Sequence, residues 1–173
     1  MNASRSLLNT IVQSSTVELF HSSGIAIAPL PPVRAEPGKP KHFDPAGVIT
    51  FSAPQLKGKL ALSLADAVYS LFTPPVVGVA VVRDSLSELT NQLIGRVKNR
   101  LLQFQVTPHV GLPSILSGSA LERQKPASAD EMLYAFRTLR GEVRVTVDAA
   151  VDESALKYSN GVNVLREGDF VLF

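Results

Sequence analysis

The chain has 173 residues, enough for one domain with a sizeable core, and a formal net charge of only +2. Its 17 Lys and Arg face 15 Asp and Glu with no basic block, which argues against a nucleic-acid stripe. The absence of cysteine excludes disulfides, thiol catalysis and thiolate metal sites, and with only 6% aromatic residues the interior must be filled by Val, Leu, Ile and Ala.

The first segment, Ala3 to Ser22, reads as an amphipathic helix with Leu8, Ile11, Val12, Ser15 and Leu19 on one stripe. Its apolar run, Leu7 to Val12, is broken by Asn9 and Thr10 and is too short and polar for a signal peptide. No segment approaches the ~20 apolar residues of a membrane span, so a soluble cytoplasmic protein is expected. Gly24 punctuates the helix, and Ile25 to Ala28 is predicted as a short strand. Residues 29–45 then gather half of the twelve prolines among Gly, Lys and Glu, the composition of an exposed loop rather than a domain boundary.

Val48–Phe51 and Lys59–Leu64 are predicted strands of a hairpin around Pro54 and Gly58. A helix is expected to start near Ser63, with Asp66 three residues on as a capping box, and to end at Pro74 and Pro75. It would point Leu64, Val68, Leu71 and Phe72 inward. The next helix is expected from Ser85 to Gln103, followed by an extended stretch from Phe104 to Val110 in which Pro108 marks an edge or bulge. A polar stretch covers 119–130, and Met132–Leu139 and Glu142–Val147 read as two strands joined at Arg140 and Gly141. In the second, Val143, Val145 and Val147 share one face, and Arg144 and Thr146 the other. Residues 150–173 form a C-terminal extension with a turn signal at Asn160 and Gly161. The order predicts a single domain over 1–173, an α+β two-layer fold whose mainly antiparallel sheet is covered on one face by about three helices.

The helix expected at 85–103 holds the candidate site. At about 3.6 residues per turn, Leu86, Leu89, Leu93, Val97 and Leu101 form an inward stripe. Glu88, Asn91 and Gly95 fall together on the opposite side, neighbours at roughly 5–6 Å. Asn and Gly are poor interior helix residues, Gly by about 1 kcal/mol relative to Ala, so their use on a solvent face beside a carboxylate points to a function for that face. Each also has an ordinary explanation. Ser85-x-x-Glu88 is a capping-box pattern, Asn91 could be a solvated surface residue, and Gly95 could admit a neighbouring segment of this same chain. Lys98 could equally be an exposed helix charge. His21, His42 and His109 lie in separate elements without ligand spacing, and no serine stands in a nucleophile elbow.

The run Glu88-Leu89-Thr90-Asn91, followed by Gly95 and Lys98, then Gly111-Leu112-Pro113 and Gly118, resembles the CheX branch of the CheC/CheX chemotaxis phosphatases. Gly58 to Leu64 with its following helix, and the opening helix with Ser15 to Phe20, are also similar to that family. By element order the likeness covers about 3–149; by motif it covers 85–118.

The resemblance implies a phosphatase acting on the aspartyl phosphate of a response-regulator receiver domain such as CheY, with Asn91 as catalytic amide and Glu88 as its companion. Gly95 and Lys98 would contact the partner. The Mg²⁺ would belong to the receiver, so no cofactor of the chain's own is implied. One departure is Arg96, where the family often has Asn after the glycine. The resemblance leaves two alternatives: a non-catalytic module of the same fold that docks a receiver, and a structural part related to flagellar-switch proteins. It also allows homodimerisation, with exposed sheet edges as the candidate surface, while no nucleic acid or membrane is expected as a partner.

Overall fold

A computed structural model describes residues 3–31, 42–72, 78–122, 131–152 and 156. Among these, helix α1 spans Ala3–Ser22 and is followed by strands β1 (Ala28–Pro29), β2 (Ala46–Ala53) and β3 (Leu56–Leu64). A 3-10 turn at Asp66–Leu71 precedes helix α2 (Val79–Leu102). Strands β4 (His109–Val110) and β5 (Ser114–Leu116), the single-turn helix α3 (Ser119–Glu122), and strands β6 (Met132–Arg137) and β7 (Glu142–Val151) complete the order. The seven described strands make one sheet, every pairing antiparallel, in the order β1-β6-β7-β3-β2-β4, with β5 also on β2. The α+β architecture is the one expected.

The strand period of two sorts the side chains. Ile49 and Phe51 of β2, Leu60 and Leu62 of β3, Tyr134 and Phe136 of β6, and Val143, Val145 and Val147 of β7 are buried on one face. Against them lie Leu8, Ile11, Val12 and Leu19 of α1 and Leu86, Leu89, Leu93, Val97 and Leu101 of α2, the stripes that the sequence predicted. Each such side chain removed from water stabilises the fold by about 1.5–3 kcal/mol. With aromatics scarce, Phe20 and Phe72 still meet edge to face at 5.4 Å between ring centroids. Burial pushes the Tyr134 phenol well above its usual range, against a smaller opposing influence from Arg5, and its hydroxyl donates to Asn9 Oδ1 at 2.6 Å.

One contact sets the height of α2 over the sheet. A Cβ on Gly47 would lie 2.1 Å from Thr90 Oγ1, so only glycine lets β2 pass beneath α2 at this point. Thr90 is itself fully buried, with its hydroxyl donating to the Leu86 carbonyl at 2.7 Å.

Several boundaries differ from expectation. The helix expected near Ser63 is a 3-10 turn from Asp66, because Ser63 and Leu64 are the last residues of β3, paired with Arg144 and Val143. Its N-cap is Ala65, without a side-chain bond, and the Ser63 hydroxyl instead accepts from the Phe43 backbone N–H. The predicted capping box is therefore absent. Helix α2 begins at Val79, six residues before Ser85, which also removes the second predicted capping box. The strand expected at 25–28 is only Ala28–Pro29, although Ile25 and Ile27 are both buried. Strand β6 ends at Arg137, where Thr138 bonds across the turn to Gly141, rather than at Leu139. The hairpin at Pro54 and the edge position of the Pro108 segment are as predicted, but Gly58 lies inside β3, paired with Phe51 and Ala149, and not in the turn. In the polar stretch 119–130, only Ser119–Glu122 forms described structure. Residues 32–41 of the proline-rich segment and most of 153–173 lie outside the described residues.

Candidate functional site on the outward face of α2

Helix α2 is held from two sides. The inward stripe packs on β2 and β3, and α1 lies alongside. Glu18 of α1 accepts from Arg100 at 2.6 Å and pairs with Arg96 at 3.2 Å, and Arg96 also donates to Ser22 Oγ at 3.0 Å. Arg96, the departure noted in the sequence, is thus turned onto α1. These partly exposed pairs contribute little stability singly, so the rotation of α2 is set by its buried stripe.

That rotation leaves Glu88, Asn91 and Gln92 exposed, with Gly95 and Lys98 partly exposed. Spacings of three, four and three residues keep Glu88, Asn91, Gly95 and Lys98 on one continuous stripe. The ordinary explanations now separate. Glu88 lies in the helix interior, far beyond the first turn, so neither capping nor the positive end of the helix accounts for it. A Cβ on Gly95 would meet nothing within 4 Å among the described residues, so none of the described segments packs onto this glycine. Asn91 makes no side-chain hydrogen bond among the described residues.

Gln92 was not singled out from the sequence. Its Nε2 donates to Glu88 Oε1 at 2.8 Å. The contact has the i, i+4 spacing that commonly joins polar side chains on a helix, and this was the available signal. It leaves the other carboxylate oxygen of Glu88 open to a cation. Gly47 and Thr90, which set the helix height, were also missed. A lone glycine in a strand signals a close backbone approach but does not say what approaches.

The three histidines lie apart: His21 ends α1, His109 is in β4, and His42 precedes β2. Among the described residues, no three His, Asp or Glu side chains gather as a metal site would require. No helix among them is long and apolar enough to cross a membrane. What α2 presents is a carboxylate, a free carboxamide and an open glycine surface. Together these can pair with a cation, orient a water molecule, and let another backbone come close.

No protein-family model and no curated protein matches the chain by sequence. Its fold, a helix-covered antiparallel sheet, is that of the CheX and CheC-like chemotaxis proteins. Chemotaxis protein CheX from Vibrio vulnificus superposes with a TM-score of 0.70 at 15% identity, over 84% of this chain and 97% of that one. A CheC-like superfamily protein from Shewanella sp. PV-4 gives 0.69 at 19%, over 86% and 99%. The CheX–CheY–BeF3–Mg²⁺ complex from Borrelia burgdorferi gives 0.59 at 10%, over 82% and 94%. The fold implied by the sequence resemblance is therefore the fold found.

Proposed function

We propose that the outward face of α2 enters the phosphorylation site of a receiver domain and that Asn91 orients the water that hydrolyses its aspartyl phosphate. The observation that carries this reading is the exposure of Glu88 and Asn91 on one face, with neither used as a cap and Asn91 without a side-chain partner among the described residues. It is supported by the fold shared with a protein solved in complex with CheY, BeF3 and Mg²⁺.

Phosphoryl transfer to water needs an in-line nucleophile, and the enzyme supplies position and electrostatics. The carboxamide oxygen of Asn91 accepts a hydrogen of the attacking water without adding negative charge beside the phosphoryl oxygens. Aspartate there could hold the same water but would repel the anion. Glu88, steadied by Gln92, pairs with a receiver cation and sets the docking register; such a pair, desolvated at an interface, matters by a few kcal/mol. Gly95 lets the partner backbone approach, and Lys98 extends the contact along the stripe. Mg²⁺ belongs to the receiver in this scheme, and the reaction takes place in the cytoplasm.

The test is phosphate release from a panel of phosphorylated receivers, with wild type and Asn91→Ala side by side. Loss of one positioned polar group is expected to slow hydrolysis by about 100-fold with receiver binding retained. Unchanged hydrolysis with intact binding would overturn the mechanism. Binding without acceleration by the wild type would leave a receiver-docking module. Self-association belongs to the same proposal: among the described residues β1 pairs with Phe136 and Arg137 of β6 and the Leu30 N–H donates to the Ala135 carbonyl, which leaves the start of β6 as a sheet edge. Sedimentation would read it.

A further inference from the structure

The sheet face opposite the helices carries a second candidate site, independent of the one on α2. The strand register sets two rows across it. His109, Ser52, Lys57 and Ala150 stand side by side on β4, β2, β3 and β7, and Thr50, Lys59 and Asp148 form the next row. Cross-strand neighbours of this kind lie roughly 4.5–5.5 Å apart at Cβ. A groove of about 710 Å³ opens over them and reaches Gly111. Gly111 keeps that end open, since a Cβ there would come within 2.8 Å of the Thr50 hydroxyl.

The charges in this groove are unbalanced. Among the described residues its one acid, Asp148, is 2% exposed and pairs with Lys59 at 3.8 Å. Lys57 and His109 are exposed and have no ion pair or hydrogen bond through their side chains among the described residues, and the Thr50 and Ser52 hydroxyls are likewise unused. Every uncommitted polar side chain in the groove can therefore donate a hydrogen bond. Two lysines on one strand face also repel each other, and only one of them is neutralised.

We propose that this groove binds a small organic anion through Lys57, His109 and Ser52. Its volume lies within the roughly 300–1,000 Å³ typical of small-molecule sites. A bare inorganic ion would leave most of it to water, whereas the lysine stems and Ala150 offer apolar contact to an organic body. The head group is a phosphate monoester or a carboxylate, either of which satisfies the same donors.

Backbone amide shifts under titration with adenosine monophosphate, citrate and inorganic phosphate test the site. Saturable shifts in 50–52, 57–59 and 109–111 with either organic probe, tighter than with inorganic phosphate, are expected; the probe that saturates identifies the head group. Lys57→Gln, at an exposed position that leaves the core intact, should weaken that binding at least five-fold, and Ser52→Ala by less. Asn91→Ala should leave it unchanged, so a failed phosphatase assay does not bear on this site. The proposal is overturned by shifts that never saturate, by shifts centred on other basic surfaces, or by equal affinity in Lys57→Gln.

Discussion

Helices α1 and α2 lie side by side on the same sheet, yet they use their polar residues in opposite ways. Along α1, three hydroxyls fold back on the helix itself, Thr10 donating to the Ser6 carbonyl, Ser14 to that of Thr10 and Thr16 to that of Val12, while the buried Ser15 hydroxyl finds no partner among the described residues. Its Asn9 accepts from Tyr134 and its Glu18 holds two arginines of α2. On α2 the buried Thr90 is satisfied in the same inward manner, but among the described residues Asn91 is left over, and Gly95 adds a helix-weakening residue on which none of them packs. A polar group already satisfied within the fold serves stability. One left exposed, at a small intrinsic loss, is available to a partner.

The largest contrast lies between the two faces of α2. Leu93→Ala, at a fully buried position, should lower unfolding free energy by about 2–5 kcal/mol, while Asn91→Ala, two residues away on the opposite face, stays within about 0.5 kcal/mol of wild type. Urea denaturation of both variants measures this, and a comparable loss in Asn91→Ala would place that residue in the structural class with α1. Next comes Gly47→Ala, expected to destabilise by about 1–3 kcal/mol because the new methyl runs into Thr90. Adding Thr90→Ala should recover part of that loss, an interaction that a double-mutant cycle would detect.

Gly95→Ala sharpens the comparison further. In open space on a helix it should raise stability by about 1 kcal/mol, yet weaken receiver binding if a partner backbone approaches there. Stabilisation measured by thermal melting together with unchanged binding would remove Gly95 from the site. The smallest expected effect is that of Glu18→Gln, below about 1 kcal/mol at low salt and fading as salt is added, because the arginine pairs are partly exposed. Melting at two ionic strengths checks it.

Much of this was legible in the residues. The 3.6-residue stripes of α1 and α2, the Pro54 hairpin and the alternation in β7 follow from local periodicity, which acts over one element and needs no knowledge of its neighbours. So did the separation of Glu88, Asn91 and Gly95 from the leucines, since a helix of either length places them on the same side.

What local sequence could not give were the facts that depend on other elements. Ser63 stayed in a strand because its ladder with Arg144 outweighed a local capping pattern, and α2 starts at Val79, with Arg83 near its start bonded to the Ile115 carbonyl across the chain. Whether Gly95 was filled, Asn91 engaged or Arg96 turned aside was decided by α1 and the sheet. The two rows on the far sheet face exist only because the strand register aligns residues up to about a hundred positions apart. Periodicity decides which way a side chain points; packing decides what, if anything, meets it there.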